Sequence, residues 1–113
     1  MRPVREPNSK DLKPGQRLWS VWFDDKDDPT RPVICYANFV KRNHGWITLR
    51  NVQTGEEWKQ NGTMWWFLSR KDALLHQIWI ESGCMGFPGY DPDVQMEKLI
   101  RLVRRLDRVE KKT

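Results

Sequence analysis

The chain has little of what catalysis and metal binding are built from. Its 113 residues include two histidines and two cysteines. His44 falls in a predicted turn and His76 between the apolar positions of a predicted helix. Neither has a sequence neighbour that completes a nucleophile, base or metal pair, so His76 reads as a partly exposed helix residue. Cys35 in a predicted strand and Cys84 after a predicted helix lack metal-ligand spacing and read as reduced, buried or half-buried thiols. No apolar run approaches the roughly 20 residues of a membrane span, and the N-terminus lacks the apolar stretch of a signal peptide. These absences predict a cytoplasmic protein that makes no membrane contact. Gly83, Gly86 and Gly89 do not form a phosphate loop, because they follow a helix instead of a strand and bring no lysine. The expectation is a protein with no catalytic residue, no cofactor and no metal.

A concentrated tract of one charge is also missing. The net charge is +5. Residues 1–68 carry 11 basic and 8 acidic side chains, 69–90 carry 2 and 2, and 91–113 carry 7 and 5. Nucleic-acid binding is thus permitted by charge and not required by it. Four aspartates within residues 24–28 invite a calcium reading, but the loop lacks the central glycine and closing glutamate of an EF-hand. It reads as a solvated hairpin loop, with an acidic contact for a basic partner as the functional alternative.

What the chain does have is short apolar runs separated by turn signals, then two helical patterns. Pro3, Pro7 and Pro14 keep residues 1–14 from forming a helix, so they read as an extended arm. Lys13-Pro14-Gly15-Gln16 turns into a first strand with Trp19, Val21 and Phe23 on one face and Leu18 and Trp22 on the other. A second strand over 33–41 alternates Val33, Cys35, Ala37 and Phe39 with Ile34, Tyr36, Asn38 and Val40. A turn at residues 42–45 leads to a third strand over 46–52, in which Ile47 and Leu49 oppose Trp46, Thr48, Arg50 and Val52. Thr54-Gly55 turns into a short fourth strand around Trp58. Asn61-Gly62 is the strongest hairpin signal, since both residues tolerate the positive φ of a type I′ turn, and it predicts pairing of 58–60 with 63–65.

Residues 64–75 organise the rest. Trp65, Trp66, Phe67 and Leu68 form an aromatic run too short for a helix, Ser69 fits an N-cap, and Asp72 suits the positive helix end. Leu74, Leu75, Ile78 and Trp79 keep helical spacing, and Gly83 is the expected stop. Asp91-Pro92 reads as an N-cap with proline at the first helical position. The following helix has Met96, Leu99, Ile100, Val103 and Leu106 as its stripe, widened by Leu102 and Val109. The predicted organisation is a single domain over 1–113. It comprises an arm (1–14), a small five-stranded antiparallel barrel (15–68), a helix (69–82), a Gly/Pro loop (83–91) and a basic amphipathic helix (92–111). The fold class is α+β, with a small SH3-like barrel that is closed or nearly closed, since sequential strands apolar on both faces want cover and closure removes exposed edges.

Aromatics are the anomaly, with seven tryptophans. Bulky rings fill a small barrel efficiently, so Trp19, Trp66, Phe67 and Trp79 are assigned to the core. Trp22, Trp46, Trp58 and Trp65 compete for the same small interior, and some of them should stay at the surface beside Arg42, Arg50 and Lys59. Such a surface can stack bases while cations hold phosphates, or serve as a protein-binding hot spot. Lys98, Arg101, Arg104, Arg105 and Arg108 make the outer face of the last helix basic. This is either a solvated face or a contact for phosphate or an acidic protein. Its wide apolar stripe suits either packing on the barrel or pairing with a second copy, so the chain is expected to be a monomer or a homodimer through this helix.

The Lys13-Pro14-Gly15-Gln16 turn, the strand spacing and the run from Trp66 to Leu74 resemble the small SH3-like barrel proteins encoded by phages and prophages. These open on a Pro-Gly turn and close with an aromatic strand, a hydroxyl residue, charged residues and an Ala-Leu helix start. The resemblance covers about residues 13–80. It implies an SH3-like fold and a non-enzymatic accessory role in the host cytoplasm: binding, modulating or inhibiting a host protein or a nucleoprotein defence complex, as an anti-CRISPR-like protein would. The chain is also similar to KOW and Tudor-like barrels in its opening turn, but it lacks an assignable KOW glycine and an ordered aromatic cage. Direct DNA or RNA binding through the tryptophans and the basic helix is the alternative.

Overall fold

A computed structural model describes residues 2–23, 28, 30–84 and 91–111. Four antiparallel strands, β1 (Arg17–Phe23), β2 (Pro32–Asn43), β3 (Trp46–Asn51) and β4 (Glu57–Asn61), form one sheet in sequential order. Two helices follow, α1 (Arg70–Cys84) and α2 (Pro92–Lys111). The α+β class agrees with the sequence, but the sheet is open and has four strands. The expected fifth strand is reduced to one bridge, in which Phe67 and Trp19 exchange two backbone hydrogen bonds of 2.8 Å. Trp65 is the reason: its φ of 72° breaks the extended run on one side, and the Ser69 cap starts a helix on the other.

The turns follow their chemistry, with one exchange. Gln16 N–H donates to Lys13 C=O at 2.9 Å across Pro14-Gly15, and Gly15 supplies a φ of 86°. The I′-type pair is His44-Gly45, with φ of 52° and 86°, closing the hairpin at Asn43 opposite Trp46. Asn61-Gly62 makes no hairpin. Gly62 N–H extends the β3–β4 ladder to Gly45 C=O, and a further turn bonds Trp66 N–H to Thr63 C=O, sending the chain towards β1.

Two apolar clusters lie on opposite faces of β1. One is enclosed by the curled sheet and contains Leu18, Ala37, Phe39, Ile47, Leu49 and Trp66, with Leu12 from the arm and Trp58 packed against it. The other lies under the helices and joins Val21, Phe67, Ala73, Leu74 and Leu102, with Trp19, Phe23, Ile34 and Leu106 at its margin. Consecutive residues Trp66 and Phe67 thus seal different cores, the period-two geometry of an extended segment. Burying a side chain such as Phe67 stabilises by about 1.5–3 kcal/mol. The caps form as read: Ser69 Oγ accepts from Asp72 N–H at 3.1 Å, and Asp91 Oδ1 accepts from Asp93 N–H at 2.9 Å.

Several helix assignments change. Trp79 is 38% exposed and not in a core, and Trp19 is only partly buried. His76, in contrast, is buried among the rings of Phe67, Trp65 and Trp79 at centroid distances of 4.7, 5.7 and 6.0 Å. The arm passes near this cluster. It has no regular structure apart from a 3-10 turn at Ser9–Asp11, and Arg2 reaches the Trp79 ring. Helix α1 also continues through Gly83 to Cys84. On α2 the inward residues are Gln95, Leu102, Leu106 and Val109, whereas Met96, Ile100 and Val103 face outwards. Gln77, Glu81 and Gln95 are buried as well, and the Gln77 amide donates to Glu81 at 3.0 Å. The Gly/Pro loop falls largely outside the described residues, as do 24–27 and the side chain of Cys84. No described helix is long and apolar enough to cross a membrane.

Candidate binding surfaces

The curvature of the sheet brings the end of β1 to the residues that follow β4. Trp22, Trp58, Met64, Trp65 and Trp66, with Gln60 and Asn61, line one groove of about 540 Å³. Trp66 forms its buried base and Trp58 leans on it, with ring centroids 6.1 Å apart. The Trp58 indole donates to Gln60 Oε1 at 3.1 Å and the Gln60 amide donates to Gly62 C=O at 3.0 Å, which fixes both side chains. Trp22 is 51% exposed and Met64 66%. None of the lining residues is charged.

Trp65 is held in a left-handed conformation that bulky residues rarely adopt, at a cost of about 1–3 kcal/mol. The arm offsets that cost. Glu6 accepts from the Trp65 amide at 3.3 Å, and Thr63 Oγ1 donates to Pro7 C=O at 2.6 Å. Burial alone would raise the Glu6 carboxyl's pKa, but hydrogen bonds from its own amide, Arg2 and Trp65 outweigh it and hold the carboxyl below its ordinary value. Beneath Trp65, desolvation pushes the His76 pKa down, Arg2 adds to that and Glu6 opposes it.

The predicted binding residues therefore separate. Trp22, Trp58 and Trp65 come together in the groove. Trp46, Arg50 and Lys59 do not line it; the register sets Arg50 against Glu57 and Lys59 against Thr48, on the face away from Leu49 and Trp58. Arg50 bonds Glu57 at 2.9 Å through Nε, and Arg42 bonds Ser9 Oγ at 3.0 Å. Met64, Trp66, Gln60 and Asn61 complete the lining of the groove, and periodicity does not reveal them.

The basic helix residues also divide. Lys98 sits 4.8 Å above the Phe23 ring, and Arg101 is committed to Asp28 at 3.0 Å and Glu97 at 3.2 Å. Hydrogen bonds from Thr30, with Arg101 adding to them, keep the Asp28 carboxyl below its ordinary pKa. Arg104, Arg105 and Arg108 line a groove of about 440 Å³ together with Arg31. A neighbouring groove of about 450 Å³ shares Arg105 and Arg108, adds Arg70 and Lys71, and has Trp19, Ile34, Leu68 and Val109 as apolar walls. Arg31, Arg70 and Lys71 escape a helix-by-helix reading. Two cations in the first turn of α1, against the helix dipole, are the signal that could have found two of them.

Among the described residues, no group of three or more His, Cys, Asp or Glu is placed to hold a metal. No protein-family model, characterised protein sequence or solved structure matches the chain.

Proposed function

We propose that the chain is a non-enzymatic interaction module that takes a segment of a partner protein into the tryptophan groove. The observation that carries this reading is the convergence of Trp22, Trp58, Trp65 and Met64 in a concave surface without a charged side chain. Stacked bases would bring phosphates, for which the groove has no counter-charge, whereas apolar protein side chains need none. Tryptophan-rich grooves are also where protein-binding energy concentrates. The resemblance to phage-type accessory barrels suggests the class of partner: a host protein or nucleoprotein complex that the module modulates or inhibits.

The test is affinity capture from a bacterial lysate with the wild-type chain and with Trp22→Ala and Trp65→Ala variants, each checked for a native melting transition. A protein recovered by the wild type and lost from both variants is the expected result. Equal recovery by all three would remove the groove from the function.

A further inference from the structure

A second surface carries a different chemistry. We infer that the linked arginine grooves of α2, β2 and α1 form a nucleic-acid site, gripping the phosphates of an unpaired strand.

The cations come from three elements: Arg31 just before β2, Arg104, Arg105 and Arg108 on α2, and Arg70 in the first turn of α1. None of these five arginines makes an ion pair among the described residues. Among the described residues Glu97 is the one acid that lines either groove, and it is already bonded to Arg101. This arrangement works against stability. Arg104 and Arg108 stand four residues apart on one helix face, where like charges destabilise by about 0.2–0.5 kcal/mol. Arg70 and Lys71 occupy a helix start that favours anions. An anionic ligand relieves both penalties.

The form of the surface says which anion. Arg105 and Arg108 line both grooves, so positive charge runs from one into the other as a track longer than a single phosphate needs. The cations on it are overwhelmingly arginines, whose planar fork matches phosphate oxygens in pairs. Beside the track, Trp19, Ile34 and Val109 provide an apolar wall that a sugar or an unpaired base can cover. A strand laid there has its charges on the arginines and its rings on the wall, the division used by single-strand binders.

The probe is a fluorescein-labelled single-stranded DNA of about 20 nucleotides, long enough to span several OB-fold-sized sites. It is titrated by anisotropy at two salt concentrations. With about four phosphates neutralised, affinity should fall roughly 50-fold between about 50 and 200 mM salt. Arg104→Gln with Arg108→Gln should weaken binding at the lower salt and flatten the salt slope by about 1.4. Both side chains are exposed, so the fold should persist, and Arg31→Gln gives an independent variant on another element. Trp22→Ala should leave strand binding unchanged, which separates this surface from the tryptophan groove. Absence of binding at low salt, or arginine variants that bind like the wild type, would overturn the inference. So would loss of binding in Trp22→Ala, or poly-glutamate competing as well as the oligonucleotide at equal charge.

Discussion

The tryptophan groove and one of the two arginine grooves share β1 as a wall and have opposite chemistry. On β1, Trp22 points into the neutral groove, whereas Trp19, on the other face of the same strand, borders the cationic one. Two residues of strand alternation would have kept them together; three separate them. The difference teaches that aromatic and basic residues close in sequence need not make one mixed surface. Here the folded sheet sorts them, leaving an uncharged apolar concavity on one side and an arginine-lined track on the other.

The largest effect is expected from removing the packing that supports β1. Phe67 bridges to β1 and packs under the helices, so Phe67→Ala should cost about 3–5 kcal/mol in denaturant unfolding and abolish both proposed binding activities. A variant that kept either activity at full strength would show that the two surfaces do not depend on the common strand.

A sharper cut separates the surfaces by stability. Trp65→Gly relieves a left-handed backbone while losing an edge contact to His76, so stability should change by no more than about 1 kcal/mol. Partner capture should fall at least about tenfold, by hot-spot arithmetic, and strand binding should not. Thermal melts run beside the two binding assays would check all three.

How far the sequence reaches is clear at these positions. The caps at Ser69 and Asp91, the Pro14-Gly15 turn and the two-faced β1 are local patterns, and local patterns are legible. The Asn61-Gly62 hairpin failed because a favourable dipeptide does not specify which strand comes next; the pull of Phe67 towards Trp19 decided it. His76 reads as exposed because its neighbours on the helix are mixed, yet it packs among Phe67, Trp65 and Trp79, and Arg2 of the distant arm lies over the Trp79 ring. The outward turn of Met96, Ile100 and Val103 has the same origin. Apolar type marks a helix face, and packing against α1 selects Gln95 and Leu102 instead. Both grooves are assembled by long-range contacts, and only Trp22, Trp58, Trp65 and the α2 arginines were visible beforehand.

Protonation provides a smaller perturbation on the aromatic side. Desolvation holds the His76 pKa below its ordinary 6.5, so the folded state favours the neutral ring. Its contribution is complete above the unfolded pKa and is lost as pH falls from there through the folded value. The melting temperature should therefore drop between about pH 7 and pH 5, and His76→Gln should flatten that drop. Glu6 adds a separate loss at lower pH, since the contribution of its lowered carboxyl is complete above the unfolded pKa and is lost as pH falls through the folded one. An unchanged pH profile in His76→Gln would contradict the burial of this ring.

The smallest expected effect is on the outer sheet face. Arg50 and Glu57 form an exposed pair, worth about 0–1 kcal/mol, so Arg50→Ala should barely move the unfolding midpoint. It should alter neither partner capture nor strand binding. A large change in either would return this face, with Trp46 and Lys59, to the functional surface.

The separation of the two surfaces is best tested by following the seven indole N–H signals in a ¹⁵N-correlated spectrum as the single-stranded oligonucleotide is added. The account predicts that the Trp19 signal shifts together with the side chains of Arg104, Arg105 and Arg108, while Trp22, Trp58 and Trp65 stay in place. Shifts concentrated on Trp22, Trp58 and Trp65, with the arginines unmoved, would contradict it.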